Sequence, residues 1–144
     1  VMREQAIAAQ LPAKPLEIYG SDLYGDALKT AWRNLNEAGL AECVELKQAN
    51  VLEISAPTES GVLVANLPYG ERMGELDELA ELYPKLGDAL KKKFGGWTAY
   101  LFTADKAILK LMRLSPSKRT PLFNGAIECR LLEYKIVSGS NRKI

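Results

Sequence analysis

The stretch ANLPYGER, residues 65–72, follows the apolar run Val62-Leu63-Val64 and decides how the rest of the chain is read. Residues 62–65 have the pattern of a strand buried on both faces. An amide, a leucine, a proline and a tyrosine then follow in immediate succession. Asn and Pro end strands in many proteins, so the turn alone carries no function. Its meaning depends on what stands on either side.

Upstream, residues 3–10 read as a helix stopped by the loop at residues 11–15. Residues 16–22 read as a short strand that delivers Asp22 to its carboxyl end. From residue 24 to residue 38 the apolar set Leu28, Ala31, Trp32 and Leu35 has helical spacing, and Gly39 stands where a helix end favours positive φ. Residues 43–47 alternate like a strand. Trp32 and Trp97 read most simply as core aromatics.

Downstream, Leu76, Leu79, Tyr83, Leu86 and Leu90 recur at three- and four-residue intervals, and Pro84 is expected to break that helix or start a second one. Lys91, Lys92 and Lys93 put positive charge at a helix end, before Gly95-Gly96. Residues 97–102 read as a strand and residues 107–112 as an amphipathic segment. Two last strands, residues 118–123 and 126–136, are joined by Asn124-Gly125, a strong hairpin signal. Alternating strands and helices closed by an antiparallel hairpin predict a doubly wound α/β sheet with an antiparallel edge. Ligands of such sheets bind beyond the carboxyl ends of the strands, so Asp22, Asn50 and Asn66 are expected to converge on one crevice. Taken one by one, Asp22 also suits a helix cap and Asn50 an ordinary turn.

Composition narrows the chemistry. The 144 residues are 47% hydrophobic and 26% charged, enough for a real core. Nineteen Lys and Arg against eighteen Asp and Glu leave a net charge of +1, so contact with a polyanion must come from local clustering. No apolar run approaches the length of a membrane span and the opening residues are too polar for a secretory signal, so a soluble cytoplasmic protein is expected. The chain has no His, which removes the commonest general base and metal ligand. Cys43 and Cys129 lack metal-type spacing and read as small buried hydrophobes.

Methylation of a planar exocyclic amine suits such a site. The lone pair of that nitrogen is delocalised into the ring, so the site must hold its two N–H groups with acceptors and grip the base by its face. The Asn66 side-chain carbonyl and the Leu67 backbone carbonyl are two such acceptors, Pro68 fixes the turn, and Tyr69 can stack on the base. No histidine is needed.

With Asp22 at a strand end, N-L-P-Y after an apolar strand and a terminal hairpin, the chain resembles the class I S-adenosylmethionine-dependent amino methyltransferases. More narrowly, NLPYGER, LGDALKKKFGGWTAYLFTAD and KRTPLFNGAIECRLLEY are similar to the bacterial THUMP-associated 23S rRNA guanine-N2 methyltransferases, often labelled N6-adenine-specific DNA methylases. The resemblance runs from residue 18 to residue 136. It implies a Rossmann-like sheet and S-adenosylmethionine as cofactor, with Asp22 on the ribose hydroxyls and Asn50 near the adenine amine. It also implies a catalytic pocket of Asn66, Leu67, Pro68 and Tyr69. Asn50 stands where the family often has Asp, and Leu67 where it usually has Pro; an Asn carbonyl and a Leu backbone carbonyl still accept the same hydrogen bonds. Arg72, Lys118 and Arg119 are candidate contacts to 23S ribosomal RNA.

The family's glycine-rich cofactor loop and first strand are absent from the sequence. The expectation is therefore a partial methyltransferase domain over residues 1–137, a flexible tail over residues 138–144, and an amino-terminal part of the same enzyme as partner. Two rival expectations are N6-adenine methylation and a non-catalytic RNA-binding fragment.

Overall fold

Parallel strands flanking a helix form the first of two compact units, Val1–Val51 and Leu52–Ile144. The computed structural model describes residues 1–67 and 75–137, without the side chains of residues 75 and 76. Pro68, Tyr69, Arg72 and the expected tail lie outside the described residues.

In the first unit, α1 (Met2–Ala8) precedes β1 (Ile18–Asp22), α2 (Gly25–Glu37), a 3₁₀ turn at Ala41–Cys43 and β2 (Val44–Gln48). β1 and β2 pair in parallel, with Ile18 opposite Val44 and Asp22 opposite Gln48. α2 starts without a side-chain cap, but Asp26 in its first turn suits the positive end of the helix dipole. It ends as expected, with Gly39 at φ +75°. Leu28, Ala31 and Leu35 are half-buried, whereas Trp32 is 55% exposed. That corrects its reading as a core aromatic. Trp32 lies about 40° around the helix from Leu28, at the edge of the half-buried stripe of Leu28, Ala31 and Leu35, and more than half of it stays uncovered.

The second unit contains β3 (Gly61–Asn66), α3 (Glu75–Lys93), β4 (Trp97–Thr103), α4 (Ile108–Leu111), β5 (Lys118–Asn124) and β6 (Ile127–Lys135). Its sheet has the order β3-β4-β6-β5, with β3 and β4 parallel and the other two pairs antiparallel. Register sorts the two faces. Leu63, Ala65, Ala99, Leu101, Thr103, Leu132 and Tyr134 share one face, and its β4 and β6 members are buried. Leu79, Tyr83, Leu86 and Leu90 of α3, with Ile108 of α4, complete that core. Phe94 and Trp97 meet edge to face at 5.5 Å.

Three expectations give way here. α3 runs unbroken through Pro84. A proline inside a helix costs about 3 kcal/mol, and burial of Leu79, Tyr83, Leu86 and Leu90 on the same face offsets it. β3 is buried on one face only, because Val62 and Val64 are 61% and 71% exposed. The hairpin turn falls on Gly125-Ala126, since Asn124 pairs with Ile127. Gly125 has φ +64° and Ala126 does not share the positive φ, so the glycine takes the first central position, as in a type II′ turn.

Candidate active site

Each candidate residue stands where its strand stops. Asp22 is the last residue of β1. Its Oδ1 accepts the Tyr24 N–H at 2.8 Å, and its carbonyl accepts the Ala49 N–H at 3.0 Å. The Gln48 side chain donates to the Leu23 carbonyl at 3.1 Å, which ties the chain leaving β1 to the end of β2. The exposed Asp22 and the half-buried Asn50 thus belong to the same carboxyl end of one parallel pair. The carboxylate does bond near a helix start, as its bland reading required, but a carboxylate can accept several hydrogen bonds and this one remains exposed.

Asn66 is the last residue of β3, in the second unit, opposite Phe102. It is exposed, and its side-chain amide has no hydrogen-bond partner among the described residues. Leu67 is half-buried, and its N–H donates to the Phe102 carbonyl at 2.9 Å. This last ladder bond fixes the backbone at the point where the motif leaves the sheet.

Sequence reasoning missed a polar knot at the end of the neighbouring strand. Tyr83 Oη donates to Asp105 Oδ2 at 2.8 Å, the Asp105 N–H donates to Thr103 Oγ1 at 3.0 Å, and Asp105 Oδ1 accepts the Ala107 N–H at 3.0 Å. Burial and then the Asp105 hydrogen bond push the Tyr83 phenol well above the usual tyrosine range. The knot holds the β4–α4 loop one strand away from Asn66. Its only sequence signal was Thr-Ala-Asp directly after an apolar strand.

Lys118 and Arg119 are both exposed at the start of β5, but on opposite faces of the sheet: Lys118 pairs with Glu133 and Arg119 with Leu132. Glu133 accepts from Ser117 Oγ at 2.6 Å and from Tyr100 Oη at 2.7 Å. These bonds, Ser117 first, hold its carboxyl below the usual range. Both cysteines are buried and free. No group of His, Cys, Asp or Glu able to hold a metal occurs among the described residues, and no helix there is long and apolar enough to cross a membrane.

A parallel βαβ unit, a second parallel pair followed by an antiparallel hairpin, and polar residues at the strand ends together define the class I methyltransferase fold. Over residues 2–133 the chain matches the RMKL-like methyltransferase domain, and it belongs to that family. It is 40% identical over 145 residues to the ribosomal RNA large subunit methyltransferase K/L of Shewanella baltica (strain OS185), covering 99% of this chain and 20% of that protein. The corresponding Shewanella frigidimarina protein is 38% identical over 128 residues, covering 89% of this chain and 18% of its own. The chain therefore spans about one fifth of the length of these relatives. Among solved structures, a possible methylase from Clostridium difficile 630 superposes with TM-score 0.84 at 26% identity, over 98% of this chain and 37% of that one. SMU.472, a putative methyltransferase complexed with SAH, superposes with TM-score 0.81 at 27% identity, over 98% and 36%.

Proposed function

We infer that the chain is part of a longer, cytoplasmic enzyme that transfers a methyl group from S-adenosylmethionine to the exocyclic N2 amine of a guanine in 23S ribosomal RNA. The observation that carries this reading is Asn66, an exposed amide without a partner among the described residues, at the carboxyl end of a parallel strand in an RMKL-like methyltransferase domain. Relatives named for ribosomal RNA methylation and a structural neighbour complexed with SAH support the substrate and the cofactor.

The residues present fit that cofactor. Asp22 offers an exposed carboxylate to ribose hydroxyls, and Asn50 lies at the same strand-pair end to meet an adenine edge. When bound, the cofactor supplies an electrophilic methyl group on a sulfonium. The Asn66 carbonyl accepts one N–H of the target amine and the Leu67 carbonyl the other, which favours a pyramidal nitrogen whose lone pair points at the methyl. As the N–C bond formed, the methyl–sulfur bond would break and leave the sulfur as a neutral thioether, and the nitrogen would shed a proton to solvent. Tyr69 grips the flipped or unpaired base by stacking. Catalysis here is positioning and electrostatics, consistent with a site that has no histidine.

The test is Asn66→Ala in the full-length protein. Turnover is expected to fall about 10²–10³-fold, the usual loss for one preorganised polar group. Cofactor affinity measured by calorimetry should change little. Unchanged turnover would refute the assignment.

A further inference from the structure

Lys106, Lys110, Arg113, Lys118 and Arg119 occur within fourteen residues, and no Asp or Glu stands between Lys106 and Ile127. All five are exposed, and none forms an ion pair among the described residues. A solvated surface usually mixes its charges; here a stretch of net charge +5 sits in a chain of net charge +1.

The register of the hairpin shows which of these cations share a surface. Arg119, Pro121 and Phe123 of β5 stand beside Leu132, Arg130 and Glu128 of β6 on one face. α4 packs against that same face, where Ile108 and Lys106 line a small cavity with Thr103, Arg130 and Leu132. Phe123 is 68% exposed and stands at the outer end of the surface. Directly opposite is Glu128, which is held by Arg130 at 3.0 Å. Arg130 itself lies diagonal to Phe123, at about 7–8 Å by strand geometry. The exposed aliphatic residues Leu122 and Ile127 are on the other face, so Phe123 is a lone exposed ring beside the Glu128–Arg130 pair and not part of an apolar patch.

Arg113 adds an independent sign. It has φ 59°, a left-handed conformation that glycine holds without strain. α3 fixes the turn, since a Cβ on Gly87 would lie 2.0 Å from the Met112 carbonyl oxygen. A strained position thus presents an exposed cation where a glycine would serve the fold better.

The direction of the hairpin connects this surface to the candidate active site. β5 is antiparallel to β6 and β6 to β4, so β5 runs with β4 and β3. Phe123 therefore lies toward the same sheet end as Asn66, three strands over and three residues further along, about 17 Å away and on the opposite face of the sheet.

We propose that this surface binds single-stranded RNA, with Phe123 stacking on a base and Lys106, Arg113 and Arg119 contacting backbone phosphates. Exposed cations beside an exposed ring, with Lys106, Arg119 and Arg130 outnumbering the Asp105 and Glu128 carboxylates of the same surface, are the ingredients of a single-strand platform. The proposal rests on the reading of RNA as the substrate: a strand held here reaches Asn66 around the carboxyl end of the sheet, where the two faces meet.

The test measures fluorescence anisotropy of a labelled oligouridine with the 144-residue chain at two salt concentrations, alongside each variant's melting temperature. Phe123→Ala should weaken binding about 10-fold and Phe123→Trp should restore it, as stacking requires. Arg113→Gly and Arg119→Gln should each weaken binding and reduce the salt slope by about 0.7. Arg113→Gly should also raise the melting temperature, which separates lost affinity from lost structure. Lys118→Gln, on the opposite face, should matter less than Arg119→Gln. No oligouridine binding by the unaltered chain would overturn the proposal. So would Phe123→Ala binding like wild type, or the surface variants changing only association with a protein. Oligouridine has no guanine to methylate, so its binding is read apart from methyl transfer, and failure of the methyl-transfer reading and failure of this one are distinguishable.

Discussion

The two units of this chain solve different problems. Of the sixteen buried apolar residues among those described, fifteen belong to the second unit and only Cys43 to the first. The first unit presents Ile18, Tyr19, Leu23, Tyr24 and Trp32 partly or largely exposed, yet it holds Asp22 and Asn50, the proposed cofactor handles. The second unit couples a buried sheet face to Asn66. The carboxyl end of β1 is ordered by a few local hydrogen bonds, whereas the end of β3 is anchored by packing and by the β3–β4 ladder. In the proposed roles, an amide that holds a small amine needs the stiffer support, and a ribose ligand tolerates the softer one.

Core truncations should expose this contrast most strongly. Leu101→Ala, at a position 1% exposed, should destabilise the second unit by about 2–5 kcal/mol. Leu28→Ala, on the half-buried face of α2, should cost well under half of that, and chemical denaturation followed by circular dichroism would compare the two. Equal losses would erase the distinction between the units.

A smaller effect is expected from one imperfection in the better-packed unit. Tyr134 is 1% exposed, and its hydroxyl has no hydrogen-bond partner among the described residues. A buried hydroxyl left unpaired costs about 1–3 kcal/mol, so Tyr134→Phe should stabilise the protein by roughly 1 kcal/mol at neutral pH. Burial also pushes the Tyr134 phenol up to about 12. Because the folded value lies above the unfolded one, its contribution to stability is complete below about pH 10 and is lost as pH rises toward 12. Thermal melts between pH 8 and 12 should show that decline, and Tyr134→Phe should lessen it.

Glu133 has the opposite sign. Its folded carboxyl is held below its unfolded value by Ser117 and Tyr100, so its contribution is present above the ordinary carboxylate range and lost as pH falls through the folded value. Ser117 Oγ also donates to the Glu133 carbonyl at 3.2 Å, which anchors the entry to β5. Protection of β5 amides from hydrogen exchange, relative to their intrinsic rates, should therefore fall in acid, and Glu133→Gln should make that protection less dependent on pH. No change in either would remove Glu133 from the account of the hairpin.

Much of this organisation was legible in the sequence because it is local. The 3.6-residue spacing of Leu79, Tyr83, Leu86 and Leu90, the turn glycines and the end of the strand at Asn66 are all encoded within a few residues. What was illegible depends on tertiary context. Pro84 reads as a break until the buried face of α3 is seen to outweigh one lost hydrogen bond. Val62-Leu63-Val64-Ala65 reads as doubly buried, although only its Leu63 and Ala65 side meets the core. Trp32 reads as core because aromatics usually are, yet at the edge of the stripe on α2 more than half of it is exposed. The Tyr83–Asp105 hydrogen bond spans 22 residues, and no periodicity predicts such a pairing. Lys118 and Arg119 look like one basic pair in sequence and are separated onto opposite faces by the strand pleat.

The central claim is that the motif at the end of β3 methylates a guanine amine in ribosomal RNA. The most direct measurement incubates the full-length protein with isotope-labelled S-adenosylmethionine and unmodified 23S ribosomal RNA, then identifies the labelled nucleoside by mass spectrometry. Labelled N2-methylguanosine that disappears in the Asn66→Ala variant is the predicted result. Label on adenine N6, or label on guanine that persists without Asn66, would contradict the account.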